Sequence, residues 1–193
     1  MATLFSDNFN RANSDNLGAN WTEVEGPWEI LANRLRDGLS NGDDNVRTTT
    51  TAHAAVADVK VSVLLVSAND KNGPCARYST TADTHYLGFN GDPNSVDLYK
   101  KVSGTYTLLQ AYTPTTSANA TVRLECEGTT QRLFYNGVEL TPNGTDTDIT
   151  AAGQTGLLCQ NINVNHDDFL VEDFAAAGGG RPRRPRLTLL GLN

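Results

Sequence analysis

Two short strings place carboxylates at i and i+2, Glu23-Val24-Glu25 and Glu125-Cys126-Glu127. On a β-strand that spacing puts both side chains on one face. Retaining cleavage of a glycosidic bond uses two carboxyls about 5 to 5.5 Å apart across a sugar, so the spacing is compatible with such chemistry. Both pairs nevertheless have the pattern of ordinary solvent-facing strand positions, and no catalytic residue is assigned to them. His53, His85 and His166 show neither HExxH spacing nor a nucleophile elbow beside them, and read as surface or hydrogen-bonding residues. Gly178–Gly180 precedes prolines and arginines rather than a helix, so it is no phosphate loop. Cys75, Cys126 and Cys159 are far apart and each lies inside an apparent strand, without C-x-x-C spacing. They read as buried free thiols; a bridge between two sheets by one pair stays open and would leave an odd thiol, which suits a reducing cytoplasm.

The elements that must position these residues are strands. Thr, Asn, Asp and Gly are abundant and only 19% of residues are charged, a composition of short strands joined by many turns. About a dozen segments of period-2 or β-rich character follow one another, among them WTEVE, WEILANRLRD, VADVKVSVLLVS, CARYST, HYLGFNG, VDLYKKV, YTLLQAY, ATVRLECEG, QRLFYNG, GLLCQN and FLVEDF. Turns are expected at Asp70–Pro74, Asn90–Asn94, Ser103-Gly104 and Asn136-Gly137, the last as a type I′ hairpin. Thr48 to Ala57 favours strand or loop over helix because of its β-branched residues. Trp21 and Trp28, beside Gly26-Pro27 and Ile30, read as core anchors. The fold class is all-β, a two-sheet antiparallel sandwich.

No apolar run approaches the roughly 20 residues a membrane-spanning helix needs, and the opening MATLFSDNFN lacks the pattern of an export signal, so a soluble, non-exported protein is expected. Charge is uneven. Net charge is −7, but the stretch from Ala176 onward holds Arg181, Arg183, Arg184 and Arg186 and no acid, leaving 11 basic against 22 acidic residues before it. Residues 1–175 therefore read as the β-sandwich domain, and 176–193 as a Gly/Pro/Arg-rich linker and extended C-terminal arm. The prolines stiffen the basic stretch, and the run from Leu187 through Leu189 and Leu190 is apolar and strand-compatible. Such an arm suits attachment to an acidic neighbouring subunit or to an open sheet edge.

The stretch FSDNFNRANSDNLGANWTEVEGPWEILANRLRD, with Phe5, Phe9, Arg11, Leu17, Gly18, Trp21, Gly26, Trp28 and Leu35, resembles the first strands of concanavalin A-like lectin/glucanase domains, particularly laminin-G-like ones of bacteria and bacteriophages. HYLGFNG, VDLYKK, LFYNGVEL, GQTGLL and DDFLVEDF continue the likeness, which spans roughly Leu4 to Phe174 and has modest specificity. It implies a jelly roll whose first and last strands lie side by side, bringing Phe5 and Phe9 near Phe169 and Phe174. That seam would gather Asp7, Asp167 and Asp168, the set best suited to a structural Ca2+. The E-x-D-x-E and E-x-D-x-x-E strings of laminarinase-type enzymes are absent here. A glycan site is expected on the concave sheet, where Arg77, Tyr86, Asn90, Asp97 and Tyr99 alternate with apolar Leu87, Phe89, Val96 and Leu98.

The tail is similar to ends seen on phage-encoded proteins of this kind. The resemblance thus implies a non-enzymatic virion structural protein made in the host cytoplasm, a capsid decoration or a fibre- or tail-associated subunit. Its lectin-like domain would be a homo-oligomer held to other virion proteins by the arm and able to meet host-surface glycans. A polysaccharide-active glycoside hydrolase and a bacterial surface lectin module are the alternatives.

Overall fold

A computed structural model describes residues 1–37, 44–49, 51–67, 71–79, 83–91, 94–161 and 164–174. The attachment residues Arg181, Arg183, Arg184, Arg186, Leu187, Leu189 and Leu190, and the 175/176 boundary, lie outside them. In chain order the strands are β1 (Thr3–Asp7), β2 (Trp21–Glu25), β3 (Trp28–Leu31), β4 (Arg34–Asp37) and β5 (Asp44–Thr48). There follow β6 (Val59–Leu65), β7 (Asn72–Tyr78), β8 (His85–Asn90), β9 (Val96–Val102) and β10 (Thr105–Tyr112). The last are β11 (Ala120–Glu127), β12 (Thr130–Tyr135), β13 (Val138–Thr145), β14 (Gln154–Cys159) and β15 (Asn165–Glu172).

All pairings between these strands are antiparallel, and they form two sheets. The first runs β13-β12-β11-β6-β15-β4-β3, with β1 also on β15; the second runs β10-β9-β8-β7-β14-β5-β2. Alternation decides which face meets which. On β6, Val59, Val61, Val63 and Leu65 are buried while Lys60, Ser62 and Leu64 are not fully so. The inner faces of both sheets supply one core that includes Trp21, Trp28, Ile30, Val46, Ala76, Leu98, Leu124, Leu157 and Phe169. Each such aliphatic side chain contributes about 1.5–3 kcal/mol on burial. Both tryptophans are anchors of this core, as their setting in the sequence indicates.

The seam between the ends of the chain forms as expected. Strand β1 pairs with β15, Phe5 opposite Val171 and Asp7 opposite Phe169. Phe5, Phe9, Trp21 and Phe169 make a ring cluster with centroids 5.0–6.2 Å apart. The Phe174 ring lies under the Lys60 ammonium at 4.7 Å.

Two turn assignments change. WEILANRLRD is a hairpin rather than one strand, because Ala32 and Asn33 both take positive φ, 52° and 62°, between β3 and β4. Asn72-Gly73-Pro74, expected in a turn, opens β7. A side chain at Gly73 would lie 1.7 Å from the Gly88 carbonyl oxygen, so glycine serves a close strand approach. The β7–β8 ladder pairs Asn72 with Asn90 and Cys75 with Leu87 but skips Pro74, which has no N–H to give. The hairpins at Ser103-Gly104 and Asn136-Gly137 have the positive φ pairs of type I′ turns, 48° and 81°, 50° and 79°.

Candidate functional site

The outer face of the second sheet carries a second apolar cluster, separate from the core: Cys75, Tyr78, Leu87, Phe89 and Leu158, with Tyr99 and Tyr106 packed against it. Register explains how these strands share a surface. Cys75 sits opposite Leu87, Leu87 opposite Tyr99, and Phe89 opposite Asp97, so all of them project to the same side. In the next rank His85 faces Lys101, and Lys101 faces Tyr106. Gly156, flanked by Arg47 and Cys75, adds no side chain to this surface.

Aromatic rings run continuously through this cluster, buried at Tyr78, His85 and Phe89 and half-buried at Tyr99 and Tyr106. Tyr78 stacks on His85 at 4.6 Å and 13°, His85 meets Tyr106 edge-on at 6.5 Å, Tyr106 meets Tyr99 at 6.4 Å, and Tyr99 meets Phe89 at 6.0 Å. Leu87, Phe89, Tyr99, Tyr106 and Gln160 line a cavity of about 180 Å³ at one end of this ladder. Tyr78 ends the other, in a cavity of about 360 Å³ with Thr22, Glu23, Glu25, Arg47 and Asp83. A further cavity of about 440 Å³ shares Tyr78 and Ser79 and is walled by Thr84, Gln154 and the loop Asp148–Gly153.

The polar groups here have defined partners. Lys101 Nζ lies 2.7 Å from Asp83 Oδ2 and 4.9 Å from the centre of the Tyr106 ring. Glu25 Oε2 accepts from Asn45 Nδ2 at 2.6 Å, and Glu23 Oε2 accepts from the Trp28 amide at 3.2 Å. Burial, with the Cys75 thiol and the Asp83 and Glu25 carboxylates close by, pushes the Tyr78 hydroxyl well above the usual phenol range; Arg47 opposes this. That hydroxyl is buried and has no hydrogen-bond partner among the described residues.

Of the five residues nominated from alternation, Tyr99 lines an outer cavity, and Asp97 shares its face while accepting from Ser95 Oγ at 2.8 Å. The other three are buried. Tyr86 is fully buried in the core and donates to Asp146 Oδ1 at 2.8 Å, and Asn90 is buried too. Arg77 is 2% exposed and holds Ala57 O at 2.6 Å, Ile149 O at 2.7 Å and Gly128 O at 2.8 Å. Its guanidinium is committed to these backbone carbonyls and to Asp58 Oδ1 at 3.4 Å. The phase on β8 is opposite to the expected one: Leu87 and Phe89 turn outward, Tyr86 and Asn90 inward. Tyr78, His85, Tyr106, Lys101, Arg47 and Glu25 were not nominated, although the run of outward apolar residues is a signal for a covered outer face.

The carboxylate pairs also differ from one another. Glu23 and Glu25 do not alternate simply, because the β2–β5 register shifts between them, and both line the Tyr78 cavity. Glu125 and Glu127 lie on the first sheet, where Glu125 meets Lys60 at 3.5 Å and Arg123 at 3.0 Å, and Glu127 meets Arg132 at 2.9 Å.

At the seam Asp7 is occupied by protein donors. It accepts from the Phe9 amide at 2.8 Å, from Arg11 Nη1 at 2.7 Å and from Trp21 Nε1 at 2.8 Å. Burial, then Asp168 and Asp7 nearby, raises the Asp167 carboxyl above its ordinary value. No group of three His, Cys, Asp or Glu side chains among the described residues is arranged to hold a metal ion, so Asp7, Asp167 and Asp168 are not brought together as a calcium-binding set. The three cysteines are free and buried; burial pushes the Cys126 thiol up to about 12.

No family model matches the sequence, and no curated protein matches it. Solved structures do share the fold. The carbohydrate-binding module CBM66 from Bacillus subtilis aligns with a TM-score of 0.68 at 18% identity, over 80% of this chain and 96% of that one. A prokaryotic β-1,3-1,4-glucanase (lichenase) from a mouse hindgut metagenome aligns at 0.60 and 11%, over 88% and 99%. A Bacillus subtilis protein of galectin-like fold aligns at 0.58 and 12%, over 90% and 96%. The fold is accordingly the jelly-roll sandwich found in carbohydrate-binding and glucanase domains.

Proposed function

We propose that this chain is a non-enzymatic carbohydrate-binding domain whose ligand lies across the outer face of the second sheet. The observation that carries this reading is the aromatic ladder from Tyr78 through His85, Tyr106 and Tyr99 to Phe89, flanked by Arg47, Glu25, Asp83 and Lys101. Sugar rings present an apolar face and a rim of hydroxyls, and a site for them needs an apolar platform with a few polar groups of fixed direction. The carbohydrate-binding module CBM66 supports the reading through its shared fold. Calorimetric titration with oligosaccharides tests it. Tyr99→Ala and Tyr106→Ala, both half-buried, should each weaken binding about five-fold or more while the domain stays folded. Binding unchanged in both variants would refute this placement.

A polysaccharide-cleaving activity is the second reading, favoured by Glu23, Glu25 and Asp83 lining one cavity and by the lichenase fold. Release of reducing ends from a glucan, abolished in Glu25→Gln, would establish it instead.

For the wider setting we propose a virion subunit whose domain, residues 1–175, is attached to capsid or tail proteins by Arg181, Arg183, Arg184, Arg186, Leu187, Leu189 and Leu190, with host-surface glycans as the ligand. Support comes from the contrast between the basic arm and the acidic remainder. Removal of 178–193 should then give a folded domain that no longer assembles; normal assembly of the truncated chain would refute the attachment role.

A further inference from the structure

The two larger cavities of the outer face meet at Tyr78 and Ser79, which line both. Tyr78 is 2% exposed, its ring is fixed by stacking on His85, and its hydroxyl has no partner among the described residues. A buried hydroxyl left unpaired costs about 1–3 kcal/mol, so this one is held at a loss unless something arrives to meet it. Around it the charges are unbalanced. Glu23, Glu25 and Asp83 line the cavity against one cation, Arg47, and Asp83 is neutralised by Lys101 outside the lining set. Across Tyr78, the second cavity is lined by Asp148, which pairs with Lys100, and by Arg77, whose guanidinium is already taken up by Ala57 O, Ile149 O, Gly128 O and Asp58.

We infer that Tyr78 is the junction of a two-compartment site that takes an uncharged oligosaccharide of at least two sugar units and rejects glycans bearing carboxylate or sulfate. Carboxylates are acceptor-only and receive the hydroxyl protons of a neutral sugar. An anionic sugar would instead meet Glu23 and Glu25 with like charge. Tyr78 supplies a donor and acceptor between the two compartments, where adjoining sugar units would meet. The inference rests on the carbohydrate-binding reading and adds the charge class, the minimum length and the residue at the junction.

The test uses the full chain and calorimetric titration against neutral mono-, di- and tetrasaccharides of glucose, xylose, mannose and fructose, and against oligogalacturonate and a sulfated galactan fragment. At least one neutral oligosaccharide should bind, its disaccharide more tightly than its monosaccharide, and the acidic chains at least ten-fold more weakly. Tyr78→Phe keeps the ring and its stacking; affinity should fall about five- to ten-fold, the worth of one hydrogen bond. Its thermal midpoint should stay level or rise, because the lost hydroxyl had no partner in the free protein, and a merely structural tyrosine would not show that split. Glu25→Gln should strengthen oligogalacturonate binding about three-fold at low salt, the effect of one charge about 6 Å away in water. Acidic chains binding as tightly as neutral ones, or full affinity in Tyr78→Phe, would overturn this inference while leaving the carbohydrate-binding reading intact. No binding by any member of the panel would overturn both.

Discussion

Lowering the pH should destabilise this sandwich through one histidine. His166 lies on β15 between Leu65 of β6 and Leu35 of β4, is fully buried, and has its ring 5.7 Å from that of Trp28. Burial holds its pKa down to about 4 from an ordinary 6.5, and the Leu35 backbone opposes only part of that. The folded form therefore binds fewer protons than the unfolded chain between pH 6.5 and about 4. Stability is complete above 6.5, falls progressively through that window, and loses no more from this group below about 4. At about 1.36 kcal/mol per pH unit the loss reaches about 3 kcal/mol, against a usual total of roughly 5–15. His53 adds to the same trend. Its Nδ1 donates to Ala54 O at 2.7 Å, Nε2 sits 2.9 Å from the Thr155 hydroxyl, and burial lowers its pKa. Urea unfolding at half-unit steps from pH 7.5 to 4.5, for the natural chain and for His166→Leu, isolates the first histidine. The variant's absolute stability is beside the point. Its curve against pH should be flatter by about 3 kcal/mol across the window, and parallel curves would refute the reasoning.

Two further perturbations probe the framework under the site. Arg77→Met removes the donors to Ala57 O, Ile149 O and Gly128 O, and should cost about 3–5 kcal/mol in urea unfolding; a loss below 1 would mean those carbonyls find other partners. Gly73→Ala drives a methyl against the Gly88 carbonyl, which is backbone and cannot swing aside, so a loss of about 3 kcal/mol or more is expected. Thermal unfolding within a few degrees of the natural chain would show that β7 and β8 can part at little cost.

The architecture was legible because most of its strands announce themselves locally. VADVKVSVLLVS alternates with its valines inward as β6, and the Asn136-Gly137 and Ser103-Gly104 pairs carry the backbone conformations that their residue types favour. The first and last strands pair as the resemblance implied, and the aromatics of the opening stretch gather where they meet. What misled was punctuation read without its surroundings. Gly73-Pro74 looks like a turn in any local window, yet glycine there answers the nearness of Gly88, a residue fifteen positions away. Ala32-Asn33 hides a turn inside an apparently continuous strand, because alanine carries no turn signal.

The site was less legible, and for one reason that runs through β8. Period-2 alternation assigns residues to two faces but does not say which face is the core; that inference assumes the apolar set points inward. In HYLGFNG the assumption fails. Tyr86 and Asn90 enter the sandwich, while Leu87 and Phe89 leave it to join Cys75, Leu158, Tyr99 and Tyr106 on the outside. Cys75, Leu87, Phe89 and Leu158 are buried there, so on this strand the outward-turning apolar set is covered as fully as the inward one. Tyr99 could be named from sequence because its own strand keeps the expected phase, with Val96 and Leu98 inward. Tyr78 could not, since it follows the positive-φ residue Arg77 at the end of β7, where simple alternation breaks. Tyr78 thus lies at the place where β7 departs from alternation.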